Sequence, residues 1–152
     1  MNLKLDTVLV DDWKINYLDF DKSTLILKKV VFGKIINSVT EQKEELLNWK
    51  RKIVESVFNE KIIVNPSSDS TYAISLSFRF HPQCHSSNKL DVENYVKPVI
   101  DGIAAGMFSK DPSTVTKFNF DDSNFKHILI EKLDTPVTPS NEGVAIVVVM
   151  AN

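Results

Sequence analysis

Asn88-Lys89-Leu90-Asp91-Val92-Glu93-Asn94-Tyr95-Val96-Lys97-Pro98-Val99-Ile100-Asp101 is the point at which the chain turns from polar connection to helix. Val96, Val99, Ile100, Ile103 and Met107 recur at three and four, one apolar face of a helix. Glu93, Lys97 and Asp101 are four apart, so acid, base and acid form a row beside that face. Asp91 and Glu93 are two apart, so both carboxylates point to one side if the chain is extended as it enters the helix. Acids at a helix start are favoured by the macrodipole. Pro98 is tolerated only near the first turn, so the helix either begins between Glu93 and Val96 or is kinked there.

Upstream, Tyr72, Ile74, Leu76, Phe78 and Phe80 alternate with Ala73, Ser75, Ser77 and Arg79, the clearest strand in the chain. A turn-rich loop, Asn65 to Ser70, precedes it. Earlier still, Ser38-Val39-Thr40-Glu41 reads as a capping box that opens a second helix. Its apolar positions are Leu46, Leu47, Trp49, Ile53, Val54, Val57 and Phe58, stopping near Asn59, while Lys43, Lys50, Arg51 and Lys52 ride a solvated face. At the start of the chain, Leu3, Leu5, Thr7 and Leu9 alternate as in a half-buried strand. Thr24 to Phe32 is another strand, closed by Gly33, and the aromatic segment Asp11 to Lys22 between them is a packed loop or a third strand.

Downstream, Ser109 to Phe120 contains a turn at Asp111-Pro112 and a short added strand. Phe125 to Leu133 is a strand carrying Ile128, Leu129 and Ile130, and Thr135 to Glu142 is a connection. Val144 to Met150 is so uniformly β-branched that it should be covered on both faces. The expected fold is α+β: one domain over residues 1–152, a mixed sheet with two main helices in the order β-β-α-β-α-β-β.

Composition sets bounds on function. An apolar fraction of 43% indicates a folded chain, and 152 residues can bury a core unaided. A single cysteine rules out an intramolecular disulfide framework and fits a reducing compartment, with cytoplasm the default expectation. Met1 to Asp6 carries no apolar signal core, and Val144 to Ala151 is too short to span a bilayer, so no membrane partner is expected. The formal net charge of −2 argues against bulk attraction to nucleic acid, so any such contact needs a local basic patch.

Two chemistries suggest themselves. His81, Cys84 and His85 lie within one short loop and invite zinc, but their spacing matches no closed zinc motif, and His127, the remaining histidine, is distant in sequence. Histidines facing a site there could instead contact phosphate. The second constellation is Asp91, Glu93 and the Asp121-Asp122 pair, which meet if the strand after Asp122 lies beside the strand ending at Phe80. Clustered carboxylates repel unless a cation neutralises them, and oxygen-only donors suit Mg²⁺ or Mn²⁺. Such ions activate a water and hold a phosphate oxygen. The alternative is an ordinary acidic surface.

Leu90-Asp91-Val92-Glu93-Asn94, with Lys97 three residues on, Asp101 four later, and then Phe120-Asp121-Asp122-Ser123-Asn124-Phe125, resembles the RusA family of Holliday junction resolvases. Its motif is Asp-x-Asp-Asn, a lysine, an Asp, and an Asp-Asp that opens the next strand; the likeness covers Tyr72 to Met150. What it implies is a homodimeric, Mg²⁺-dependent endonuclease that resolves four-way DNA junctions by paired symmetric nicks. By that similarity Asp91, Glu93 and Asp122 hold the metal with Asp121 beside them, and Lys97 is the catalytic base or charge stabiliser. Glu93 stands where the family has Asp, the segment before Asp121 is longer than in compact members, and Asp111 competes with Asp122 for the distal position. Family members also tend to be basic. Lys28, Lys29, Lys34 and Lys89 are the candidate phosphate contacts. Two other functions stay open: a catalytically inactive junction-binding or regulatory protein of the same fold, and a hydrolase acting on small phosphoesters.

Overall fold

A computed structural model describes residues 3–21, 23–62, 71–81, 92–108, 125–133 and 141–151. Its elements run β1 (Leu3–Val10), β2 (Trp13–Phe20), β3 (Ser23–Phe32), α1 (Lys43–Phe58), β4 (Thr71–Arg79), α2 (Glu93–Phe108), β5 (Phe125–Lys132) and β6 (Gly143–Ala151). The class is α+β as expected, but the order is β-β-β-α-β-α-β-β, because the aromatic segment after Asp11 is a strand. A two-residue turn folds β1 and β2 into an antiparallel hairpin, with Val10 opposite Trp13 and Leu3 opposite Phe20. Asp11 and Asp12 both have positive φ, 45° and 69°, the backbone of a type I′ turn whose twist suits a hairpin. Left-handed backbone is costly for a residue with a Cβ, so Asp12→Gly should stabilise the protein by about 1 kcal/mol. That would appear as a rise in Tm of about 2–4 °C by calorimetry.

The main sheet has the order β3-β6-β4-β5. β6 is antiparallel to both β3 and β4, whereas β4 and β5 are parallel, as a strand–helix–strand crossover through α2 requires. β6 is covered on both faces. Val144, Ile146 and Val148 join the core with Tyr72, Ile74, Leu76 and Phe78 of β4 and the apolar sides of α1 and α2. Ala145, Val147 and Val149 pack on the other face with Trp13, Ile15 and Phe20 of the hairpin. Helices, sheet and hairpin thus form three layers.

Side chains tie the hairpin to the sheet. The Leu18 amide donates to Ser75 Oγ at 2.8 Å, and the Asn16 amide donates to the Glu131 carboxylate. Trp13 is wedged between the edge of Phe32, 5.9 Å between centroids, and the Arg79 guanidinium, 3.9 Å above its ring. Burial pushes the Arg79 pKa down, and the flat cation–π contact keeps the guanidinium on an apolar surface.

The helices meet at almost no distance. A Cβ on Gly102 would lie 2.7 Å from Ile53, and one on Gly106 would lie 2.7 Å from Val57 and 2.9 Å from the Val54 carbonyl. Gly102 and Gly106 therefore act as a flat track that lets α1 press onto α2. α1 starts at Lys43, later than the Ser38 capping box implies: its N-cap is Gln42, with no side-chain cap bond. Ser38 is used elsewhere, as described next.

Candidate functional site

α2 begins at Glu93, and its first turn is closed by the Val92 carbonyl, which accepts from the Tyr95 and Val96 amides at 2.9 and 3.2 Å. It continues through Pro98 as one helix to Phe108. A proline cannot donate to the carbonyl four residues back, here Asn94. That carbonyl instead accepts from the Ser38 amide at 2.7 Å. The segment leading to α1 thus supplies the hydrogen bond that the proline removes, and the alternatives left open by the sequence resolve to a helix starting at Glu93.

The four-residue row is present. Lys97 Nζ lies 3.5 Å from Asp101 Oδ1, and Lys50 Nζ of α1 lies 3.8 Å from Asp101 Oδ2. Asp101 is buried, at 6% exposure, whereas the Lys97 side chain is 71% exposed. One buried carboxylate therefore anchors two ammonium groups, one inside the helix interface and one reaching solvent. Glu93, Val96, Lys97, Ile100 and Asp101, with Ile130 of β5, line a cleft of about 210 Å³. Its wall is apolar, and its charged groups sit along a single helix edge. The Lys97 ammonium at its rim reaches solvent and can meet an anion that enters.

Lys50 is a site residue that periodicity passed over when it placed the base with Lys43, Arg51 and Lys52 on the solvated face. Those three are exposed, but Lys50 is only half-buried. The signal was available: Lys50 lies four after Leu46 and three before Ile53, so it belongs to the row that faces α2. A base inside an apolar row needs an acid opposite, and Asp101 is that acid.

The remaining predicted residues divide. Asp91, Asp111, Asp121, Asp122, Cys84, His85 and Lys89 lie outside the described residues. β5 does lie beside β4, the condition for uniting the carboxylates, but in parallel, so Phe125 pairs with Tyr72. Phe125 also packs on Phe108, 5.9 Å between centroids, at the end of α2 remote from Glu93. His81 is buried beyond the end of β4, whereas His127 pairs with Ala73 near its start and meets the edge of Phe20. The two histidines therefore stand apart along the strand, which separates His127 from any zinc set built on His81. Among the described residues no three His, Cys, Asp or Glu side chains form a metal-binding group. Glu93 is the described member of the proposed oxygen-donor set; it is exposed at the helix start and suits a hard cation.

Of the candidate phosphate contacts, Lys28 and Lys34 are exposed, and Lys29 pairs with Glu60 at 3.3 Å. Lys34 shares a second hollow, of about 260 Å³, with Lys52, Asn48, Glu45 and Trp49. Among the described residues no helix is long and apolar enough to cross a membrane. Compared with known proteins, the chain matches no family model, no curated protein and no solved structure.

Proposed function

We propose that the chain is a metal-dependent, structure-selective DNA endonuclease that resolves four-way junctions by paired symmetric nicks, acting as a two-fold dimer. The observation that carries this reading is the placement of Glu93, Lys97 and Asp101 along one edge of an open cleft at the start of α2, directly after Asp91 in the sequence. Resemblance to the RusA resolvases supplies the substrate, the dimer and Asp91 as the ligand beside Glu93; β5 starts at the end of α2 remote from Glu93, so the Asp121-Asp122 part of the family pattern is not carried onto this cleft. Held by the Asp91 and Glu93 carboxylates, Mg²⁺ or Mn²⁺ would supply an activated water and a clamp on a phosphate oxygen.

The chain's own residues have distinct tasks. Glu93 presents its carboxylate at the cleft mouth. Lys97 offers a solvent-reaching ammonium to charge that develops on the phosphate as it is attacked. Asp101 holds Lys97 in place from the buried side, and Lys50 shares that carboxylate so that Asp101 is not left as an unpaired buried charge. A two-fold assembly suits a junction because two strands must be cut in register.

The test is incubation with a labelled immobile four-way junction and a matched linear duplex, with Mg²⁺ or with EDTA, alongside Asp91→Asn. Paired nicks confined to the junction, abolished by EDTA and by the substitution, are expected. Tight junction-selective binding without cleavage would overturn the enzyme and leave a binding protein. A monomer that cleaves small phosphoesters and ignores junctions would overturn the DNA substrate.

A further inference from the structure

β1 carries an alternating pattern whose apolar side should be covered, yet the folded chain leaves that side open. Leu3, Leu5 and Leu9 are 41%, 59% and 62% exposed. They follow one another at every second position, so with Thr7 they make one apolar stripe along the strand. β2, its hairpin partner, buries Trp13, Ile15 and Phe20 against the body of the protein. Among the described residues β1 pairs only with β2, so the backbone donors and acceptors on its other edge are open to a further strand. Natural proteins usually blunt such an edge with a bulge, a proline, a short strand or charged side chains. β1 runs for eight residues in unbroken register with no bulge or proline, and its two charges, Lys4 and Asp6, are of opposite sign, so they discourage a foreign strand but can pair in a second copy.

We infer that β1 is the dimer surface of this protein, pairing antiparallel with β1 of a second copy about a two-fold axis at Leu5. Charge selects both the occupant and the register. Pairing centred on Leu5 sets Lys4 opposite the partner's Asp6 and Asp6 opposite the partner's Lys4; Lys4, which within one chain lies 3.9 Å from Asp19 of β2, would then stand between two carboxylates. Leu5 then meets the partner's Leu5, and Leu3 meets the partner's Thr7, so the two stripes become continuous on the opposite face. Centring on Asp6 would set two carboxylates against each other, and like charges directly opposite are unfavourable. Centring on Thr7 would face both charges of each copy with valine. Asp6 has no ion-pair partner among the described residues; its carboxylate accepts from the adjoining Thr7 amide and, across the hairpin, adds to burial and Asp19 in raising the pKa of Tyr17. The Asp6 carboxylate thus lacks a cation within one chain and gains one in the pair. Joining two hairpins would give a four-stranded sheet with no open β1 edge.

This inference names the surface of the dimer invoked above, but it stands on strand geometry and not on the carboxylate cleft. Its test reads mass, not cleavage, so the two can fail separately. Sedimentation equilibrium of the full chain at micromolar concentration should give twice the 17.2 kDa of one copy. Lys4→Asp and Asp6→Lys should each raise the dimer Kd at least tenfold, because each sets like charges opposite. Mixing the two variants should restore dimers, since every Asp then faces a Lys across the axis, and the doubly exchanged Lys4→Asp/Asp6→Lys chain should dimerise more tightly than either single variant, short of the parent because Asp19 loses its Lys4 partner. Leu5→Lys should give monomers by placing two cations on the axis, with near-UV circular dichroism confirming that the hairpin is folded. A parent chain that is monomeric throughout, a dimer indifferent to these changes, or singles that weaken it without recovery on mixing would each overturn the proposal.

Discussion

Gly106→Val should lower the Tm by about 6–12 °C in a calorimetric scan. A Cβ at this position would sit 2.7 Å from Val57 Cβ and 2.9 Å from the Val54 carbonyl oxygen. Neither atom belongs to the free end of a flexible side chain, so the strain cannot be relieved by a rotamer change. The helices must separate, and Ile53, Val57 and Ile103, all buried in the core between helices and sheet, lose contact as they do. Overpacking typically costs about 1–3 kcal/mol, and backbone involvement puts this site at the upper end, about 3 kcal/mol. Each kcal/mol corresponds to about 2–4 °C for a chain of this size. Gly106→Ala, which adds the same Cβ without the branch, should fall by less, and a variant as stable as the parent would show that α1 does not press on α2 as described.

Lys97→Met should reduce junction cleavage by about 10²–10³-fold while junction affinity changes little, the loss expected when one donor to developing charge is removed. Methionine keeps the length and apolar body of lysine, so its packing beside Val96 and Ile100 is preserved. The ammonium alone is lost. Asp101→Asn should act through Lys97 without touching DNA, lowering the rate by about tenfold because Lys97 and Lys50 lose their shared anchor. The two effects should not add: once Lys97 is methionine, Asp101→Asn should cost little further rate. Single-turnover cleavage with saturating enzyme separates these outcomes from binding, and additive losses would remove Asp101 from its positioning role.

The fold was largely legible because its strongest signals are periodic. β4 alternates cleanly, β6 is β-branched throughout, and the apolar rows of α1 and α2 recur at three and four, so class, layers and helix content followed from the residues. β2 was ambiguous because the turn that creates it, Asp11-Asp12, lacks the glycine that announces a hairpin; the acids adopt positive φ without sequence warning. The capping pattern at Ser38 predicts too early a start for α1, because the Ser38 amide is committed to Asn94 in the other helix. Such a partner is a tertiary choice that a local pattern does not contain. The same limit governed the cleft. The row from Glu93 to Asp101 follows from a spacing of four, but Lys50 enters from a helix that begins fifty residues earlier; its place in the Leu46–Ile53 row shows that it turns inward, and only packing shows that it meets Asp101. β1 shows the converse. Its alternation predicts a half-buried strand, yet within one chain the leucines face outward, because periodicity states that a face is to be covered without stating by what.

The position of β6 between β3 and β4 has a consequence for synthesis. β3 pairs with no other strand of its sheet, and β4 gains only the edge strand β5 without it. A nascent chain that has emerged as far as β5 can close its first hairpin and form the β4-α2-β5 crossover, but it has no strand to join that crossover to β3. The two halves wait, each with an open edge, until residues 143–151 have left the ribosome. Completion of the sheet therefore waits on β6, the strand that joins its two parts into one cooperative unit.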